Sequence, residues 1–226
     1  MSIVNDYIIA LEDEFSLNRN LEVATSQKAY MKDNFIFFGM KTDLRRELQK
    51  PFLQKDHLPA KPDALQIVKL LWQKPERDFQ LFGQELFFKY VKQIELVDIE
   101  LIEYVITHKS WWDTVDFIAV KLAGAYFKKF PQKRKEVISN WLNSENMWLK
   151  RSAILFQLKY KTEIDKNFLS YIIQQNLNSK EFFINKAIGW MLREYTRTNP
   201  YWVIEFVNEN EAALSNLSRR EALRLL

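Results

Sequence analysis

Two stretches of this chain, LNSENMWLKRSAILFQLKY (142–160) and LNSKEFFINKAIGWMLREY (177–195), align without a gap. Both open on Leu-Asn-Ser and close on a tyrosine, Tyr160 and Tyr195, 35 residues apart. Both carry a basic residue nine places before that tyrosine, Arg151 and Lys186. The same step backwards reaches Asp116 and then Leu81, in PERDFQLFGQELFFKY, which also ends on a tyrosine, Tyr90. Ser110 and Ser179 lie 69 apart, close to two steps. A fixed period of this length marks stacked supersecondary units, none of which buries its apolar face alone.

The units are helical. Apolar residues recur three and four apart, as in Ile184, Ile188, Met191 and Tyr195. The spacing predicts helices at 3–14, 23–36, 43–54, 63–74, 76–92, 96–107, 111–127, 132–142, 146–160, 163–176, 180–197, 200–209 and 218–225. Pro51, Pro59, Pro62, Pro75, Pro131 and Pro200 punctuate these runs, and no window of strict alternation asks for a strand. The expected fold is all-α: an α-solenoid of HEAT-like helical pairs in a single domain over 1–226, with a concave binding groove. In such a stack Asp116, Arg151 and Lys186 line one seam, and Trp112, Met147 and Phe182 lie one turn earlier on it.

Composition removes several functions. Cysteine is absent and only His57 and His108 are present, so thiolate or histidine metal sites and a Ser-His-Asp triad lack material. Four glycines form no phosphate-binding loop, so neither metal nor cofactor is expected. No apolar run reaches membrane length, and the acidic N-terminus does not read as a signal peptide. These features fit a cytoplasmic protein, and an extended superhelix needs no partner subunit, so a monomer is expected. The net charge of +4 points to an anionic partner only if the cations gather on one face. Lys128, Lys129, Lys133, Arg134 and Lys135 crowd Pro131, Arg45 and Arg46 follow Thr42 as a candidate N-cap, and Lys186, Arg193 and Arg197 share a helix face.

The segment SWWDTVD (110–116) holds two tryptophans and two aspartates in seven residues. Ser110 and Asp113 have capping-box spacing, and Trp111 with Val115 suits the core. Trp112 and Asp116, four apart, share another face. Spacing alone leaves two readings: a core tryptophan beside a solvated aspartate, or an aromatic and a carboxylate shown together to a ligand. Arg151 is equally a surface arginine covering its neighbours or a phosphate clamp. Phe182 and Phe183 are adjacent and cannot share a face, so one is exposed or at the helix entry, and Trp190 lies seven residues after Phe183 on the same side.

The segments AYMKDNFIFFGMKTDLRREL (29–48), KSWWDTVD (109–116), NMWLKRSAILFQLKYK (146–161) and SKEFFINKAIGWMLREYTRTNP (179–200) resemble the AlkD-type DNA glycosylases, repair enzymes for alkylated purines built from HEAT-like repeats. The resemblance implies a catalytic carboxylate at Asp116, lesion contacts at Trp112, Trp190 and Tyr30, and DNA contacts at Arg151, Lys159, Phe182, Phe183, Lys186 and Arg193. Asp43 departs from the family, which often has proline there. The implied partner is double-stranded DNA bearing N3- or N7-alkylated purines, whose glycosidic bond is hydrolysed without a base-flipping pocket. Two other readings are a non-excising relative that binds damaged or branched DNA, and a solenoid scaffold for proteins.

Overall fold

The computed structural model describes residues 3–226, which form two compact units, one ending at Ile94 and one running from Glu95 to Leu226. Among the described residues the fold is all-α, and its only extended pairing is an isolated bridge between Ile36 and Glu76. Among them, too, no helix is long and apolar enough to cross a membrane.

The first unit holds α1 (Ile3–Leu17), α2 (Leu21–Tyr30), α3 (Thr42–Gln49), α4 (Lys61–Leu71) and α5 (Arg77–Lys89). Its core is aromatic: the buried rings of Phe15, Phe38 and Phe79 meet at 5.3–6.0 Å between centroids. Such pairs add about 0.5–1.5 kcal/mol each beyond the area they bury. The helix expected over 23–36 stops at Tyr30, because Lys32 and Asp33 take left-handed φ values of 57° and 61°. The extended chain beyond this turn is tied to α5, where the Asp78 carboxylate accepts the Phe38 N–H at 2.9 Å.

One expected basic cluster dissolves here. Thr42 is the first residue of α3 and not its cap; Lys41 holds the N-cap position and makes no side-chain bond there. Arg45 is buried, donating to Gln49 at 2.7 Å and to Glu85 at 3.3 Å. A cation this deeply placed must be paired, so it belongs to the interior and offers no surface charge.

The second unit holds α6 (Asp98–Thr107), α7 (Trp112–Phe117), α8 (Gly124–Lys129), α9 (Arg134–Asn143), α10 (Met147–Leu155), α11 (Lys166–Gln174), α12 (Phe182–Thr196), α13 (Pro200–Glu209) and α14 (Asn216–Ala222). The expected helix 111–127 is not uniform. Between α7 and α8, residues Ile118–Ala123 adopt π-helical hydrogen bonding. A π segment fits extra residues into a helix and rotates the next turns about its axis. Ile118, Ala119, Leu122, Ala123, Tyr126 and Phe127 all become buried, while Trp112 and Asp116 before them keep a different face.

The 35-residue period is visible as bonds. Asp116 pairs with Arg151, Lys128 with Glu163, Lys159 with Glu194 and Lys186 with Glu221, at 2.7–2.9 Å, each pair one period apart. Equivalent positions on successive repeats stack as neighbours, so opposite charges placed one period apart meet. Two cations of the basic crowd near Pro131 are paired, Lys128 with Glu163 and Lys133 with Glu136, and Arg134 donates to the Phe127 carbonyl. The tyrosine that closes the repeat also reaches back, with Tyr160 Oη donating to the Gly124 carbonyl at 2.6 Å.

That last bond depends on close approach. A Cβ on Gly124 would lie 2.8 Å from the Phe156 carbonyl oxygen, a backbone atom with little room to retreat. Alanine is the better helix former by about 1 kcal/mol, yet overpacking of this kind costs about 1–3 kcal/mol. Gly124→Ala is therefore expected to lower the urea midpoint of unfolding, and an unchanged or higher midpoint would show that the repeats have slack at this contact.

Candidate functional site

The approach to α7 is set by backbone conformation. Lys109 (φ 48°) and Asn178 (φ 61°) both take the left-handed region, each directly before a serine, Ser110 or Ser179. The two serines are thus equivalent in the repeat, but neither caps a helix. Ser110 Oγ donates back to the Ile106 carbonyl at 2.6 Å, and Trp111, with no side-chain cap bond, occupies the N-cap of α7. Ser179 Oγ accepts the Glu181 N–H at 3.2 Å, as Ser144 Oγ accepts that of Asn146 at 3.1 Å. The capping box expected from Ser110 and Asp113 does not form, because α7 starts one residue later, with Trp111 at its N-cap.

Trp111 packs against Trp148 and Phe183, with ring centroids 5.7 and 5.3 Å away. Phe183 in turn lies 5.0 Å from Trp148 and 5.4 Å from Phe182. This aromatic cluster joins the N-terminal ends of α7, α10 and α12. The three ends open a cleft of about 270 Å³, lined by Trp112, Asp116, Arg151, Phe182, Phe183, Lys186, Trp190 and Arg193. Eight of the ten residues singled out by sequence are therefore its lining. Phe182 is exposed and Phe183, beside it, is half-buried. Lys159 lies outside the lining, paired with Glu194 at 2.7 Å. Tyr30 is exposed at the last position of α2 in the first unit.

The floor of the cleft is a fork. Arg151 Nε donates to one oxygen of Asp116 at 2.7 Å and its Nη2 to the other at 2.8 Å, while Nη1 donates to the Phe183 carbonyl. The arginine side chain is 4% exposed and the aspartate 17%. Such a bidentate bond fixes the plane of the carboxylate as well as its position. Each carboxylate oxygen still has one further acceptor direction. Burial pushes the Asp116 carboxyl above the ordinary value of 3.8, and Asp113 adds to this, while the hydrogen bond and charge of Arg151 pull it back. The result is a desolvated carboxylate aimed by one guanidinium, with Trp112 and Trp190 in the same cleft. Chemically, it can stabilise a positive charge that develops above it.

The opposite wall is cationic and has a partner that sequence reasoning missed. Lys186 Nζ lies 2.9 Å from Glu221 Oε1, and Arg193 Nη1 lies 2.6 Å from Glu221 Oε2. Glu221 belongs to α14, its side chain is 8% exposed, and it stands behind the lining. One signal could have found it: it follows Lys186 by the same 35-residue step that separates Asp116 from Arg151. Among the described residues no group of His, Cys, Asp or Glu side chains has the arrangement of a metal site.

The chain resembles known proteins along nearly its whole length. The model of a family described as DNA alkylation repair enzyme matches residues 11–226. A solved structure described as a predicted DNA alkylation repair enzyme from Enterococcus faecalis is 33% identical. It superimposes with a TM-score of 0.84 over 92% of this chain and 96% of the other. None of the curated proteins matches.

The electrostatics of the fork make a direct prediction. In a carboxyl-selective NMR titration, Asp116 is expected to titrate above the ordinary 3.8, and Arg151→Gln is expected to move it higher still, since the bond it removes is the one that lowers it. A midpoint that falls in the variant would reverse the roles assigned to burial and to Arg151.

Proposed function

We propose that this chain, which belongs to the DNA alkylation repair enzyme family, is a DNA glycosylase for cationic N3- and N7-alkylated purines in duplex DNA. The reading takes 1–226 as one glycosylase domain acting as a monomer. The observation that carries it is the Asp116–Arg151 fork at the floor of a cleft that also holds Trp112 and Trp190.

An alkylated purine is a cation and a good leaving group, so its departure needs little help from an acid. The C1′–N bond breaks with its electron pair going to the base, which leaves neutral. Positive charge passes to the sugar as an oxocarbenium-like species. The Asp116 carboxylate stabilises that charge, and an acceptor direction not used by Arg151 orients the attacking water. Water adds its oxygen to C1′ and gives up a proton, leaving an abasic sugar. Arg151 fixes the plane of the carboxylate and pulls back the upward shift that burial causes. Trp112 and Trp190 present aromatic faces to a cation, worth about 0.5–2 kcal/mol for each contact. In this reading Lys186, Arg193 and the exposed Phe182 contact the backbone and groove, and the resemblance implies further DNA contacts at Lys159 and Tyr30.

The resemblance to AlkD-type glycosylases implies excision without a base-flipping pocket. Adduct size would then matter little.

One observation favours the second reading, a family member that binds damaged DNA without excising a base: Arg151 already occupies one direction on each oxygen of Asp116. A single assay separates the two. Wild type is expected to release 7-methylguanine from methylated duplex DNA, and Asp116→Asn to keep DNA binding while release falls by about 10²–10³-fold. Trp112→Ala and Trp190→Ala are expected to slow release by about 2–30-fold, the kinetic equivalent of one cation–π contact. Binding with no release by wild type would select the non-excising reading, and an Asp116→Asn variant as active as wild type would remove Asp116 from the chemistry.

A further inference from the structure

The cationic wall of the cleft is built on a carboxylate that lies outside the lining and outside the chemistry at Asp116. Glu221 sits on α14, a single short helix near the C-terminus, and bonds both Lys186 and Arg193 of α12. The two helices are pressed together at Gly189, where a Cβ would lie 2.6 Å from Glu221 Cβ and 3.0 Å from the Ser218 carbonyl. A second tie runs from Ser218 Oγ to the Asn185 carbonyl at 2.8 Å. Glu221 is thus held from its own backbone outward, and its position decides where the two cations stand.

It also decides how much charge they present. Asp116 and Arg151 neutralise each other on the floor. Lys186 and Arg193 would add two positive charges to the wall, but Glu221, 8% exposed behind them, removes one. Among these three groups a single net positive charge remains, equal and opposite to that of one phosphodiester. The hydrogen bond from Lys186, and then the charges of Lys186, Arg193 and Arg224, hold the Glu221 carboxyl below the usual carboxylate range, so it stays an anion at neutral pH.

Resting on the DNA reading above, we propose that Glu221 is a positioning residue that sets the wall of the cleft to the charge of one backbone phosphate by holding Lys186 and Arg193 together. Without it the wall grips any duplex more tightly and discriminates less. A carboxylate with only a structural role, clasping α14 to α12, would alter thermal stability and leave the electrostatics of DNA binding alone.

The salt dependence of binding tells these apart. Anisotropy of a short fluorescein-labelled undamaged duplex is followed from about 50 to 200 mM NaCl, where each phosphate neutralised contributes about 0.9 to the slope of log K against log salt. Glu221→Gln, close in shape, is expected to steepen the slope by about 0.9 and to tighten binding several-fold at the low-salt end. Where that variant does not fold, the same difference is read between Lys186→Gln and Lys186→Gln/Glu221→Gln, in which the amides can still bond each other and Arg193. Equal slopes within either folded pair, with wild type binding duplex, overturn the role of Glu221 and leave the glycosylase reading standing. A wild type that binds no duplex even at the lowest salt overturns both.

Discussion

The bidentate bond between Arg151 and Asp116 is the contact on which the site depends. It is nearly dry, it joins two repeats, and its arginine reaches a third through the Phe183 carbonyl. Taking two charges out of water is costly, and such a pair is seldom an efficient source of stability. Its value here is geometric. It holds a desolvated carboxylate in one plane among aromatic side chains, and it partly offsets the upward pKa shift that burial causes. Removing either partner leaves a buried charge without its counter-ion, so the two residues act as a unit.

The repeat explains how such a bond arises. A helical-pair stack places residue n beside residue n + 35, and four ion pairs of the second unit have this spacing. Lys128–Glu163 and Lys159–Glu194 are largely exposed and contribute little to stability. Asp116–Arg151 and Lys186–Glu221 belong to the cleft. The same register rule therefore yields both ordinary surface pairing and a site, and burial separates the two. The aromatic cluster of Trp111, Trp148 and Phe183 supplies that burial on one side. The π segment Ile118–Ala123 supplies it on the other, by turning apolar residues inward directly after Asp116.

The family to which the chain belongs gives the cleft its setting in repair of alkylated DNA. Electrostatics give the finer picture its shape. In the proposed reaction, a cationic lesion, a developing sugar cation and a phosphate make opposite demands on one small space. Aromatic faces and a carboxylate serve the first two. In the same proposal the cationic wall serves the third, and α14 acts on it through Glu221 although none of its residues lines the cleft.

Sequence by itself determined the helical class, the order of most helices, and the 35-residue step that puts Asp116, Arg151 and Lys186 in register. Period and proline placement are local properties, and helices arise from them. The resemblance carried by SWWDTVD and its companion segments named the residues that line the cleft. Only the tertiary structure decided which charges are free to act. Arg45 reads as a surface cation yet is buried on Gln49 and Glu85. Ser110 reads as a cap yet bonds the helix before it. Glu221, which the sequence reading did not single out, bonds two of the eight residues that line the cleft. In each case the residue type is compatible with either role, and the outcome turns on which neighbour packing brings within about 3 Å, which the 35-residue step signals for Glu221 but not for Arg45 or Ser110.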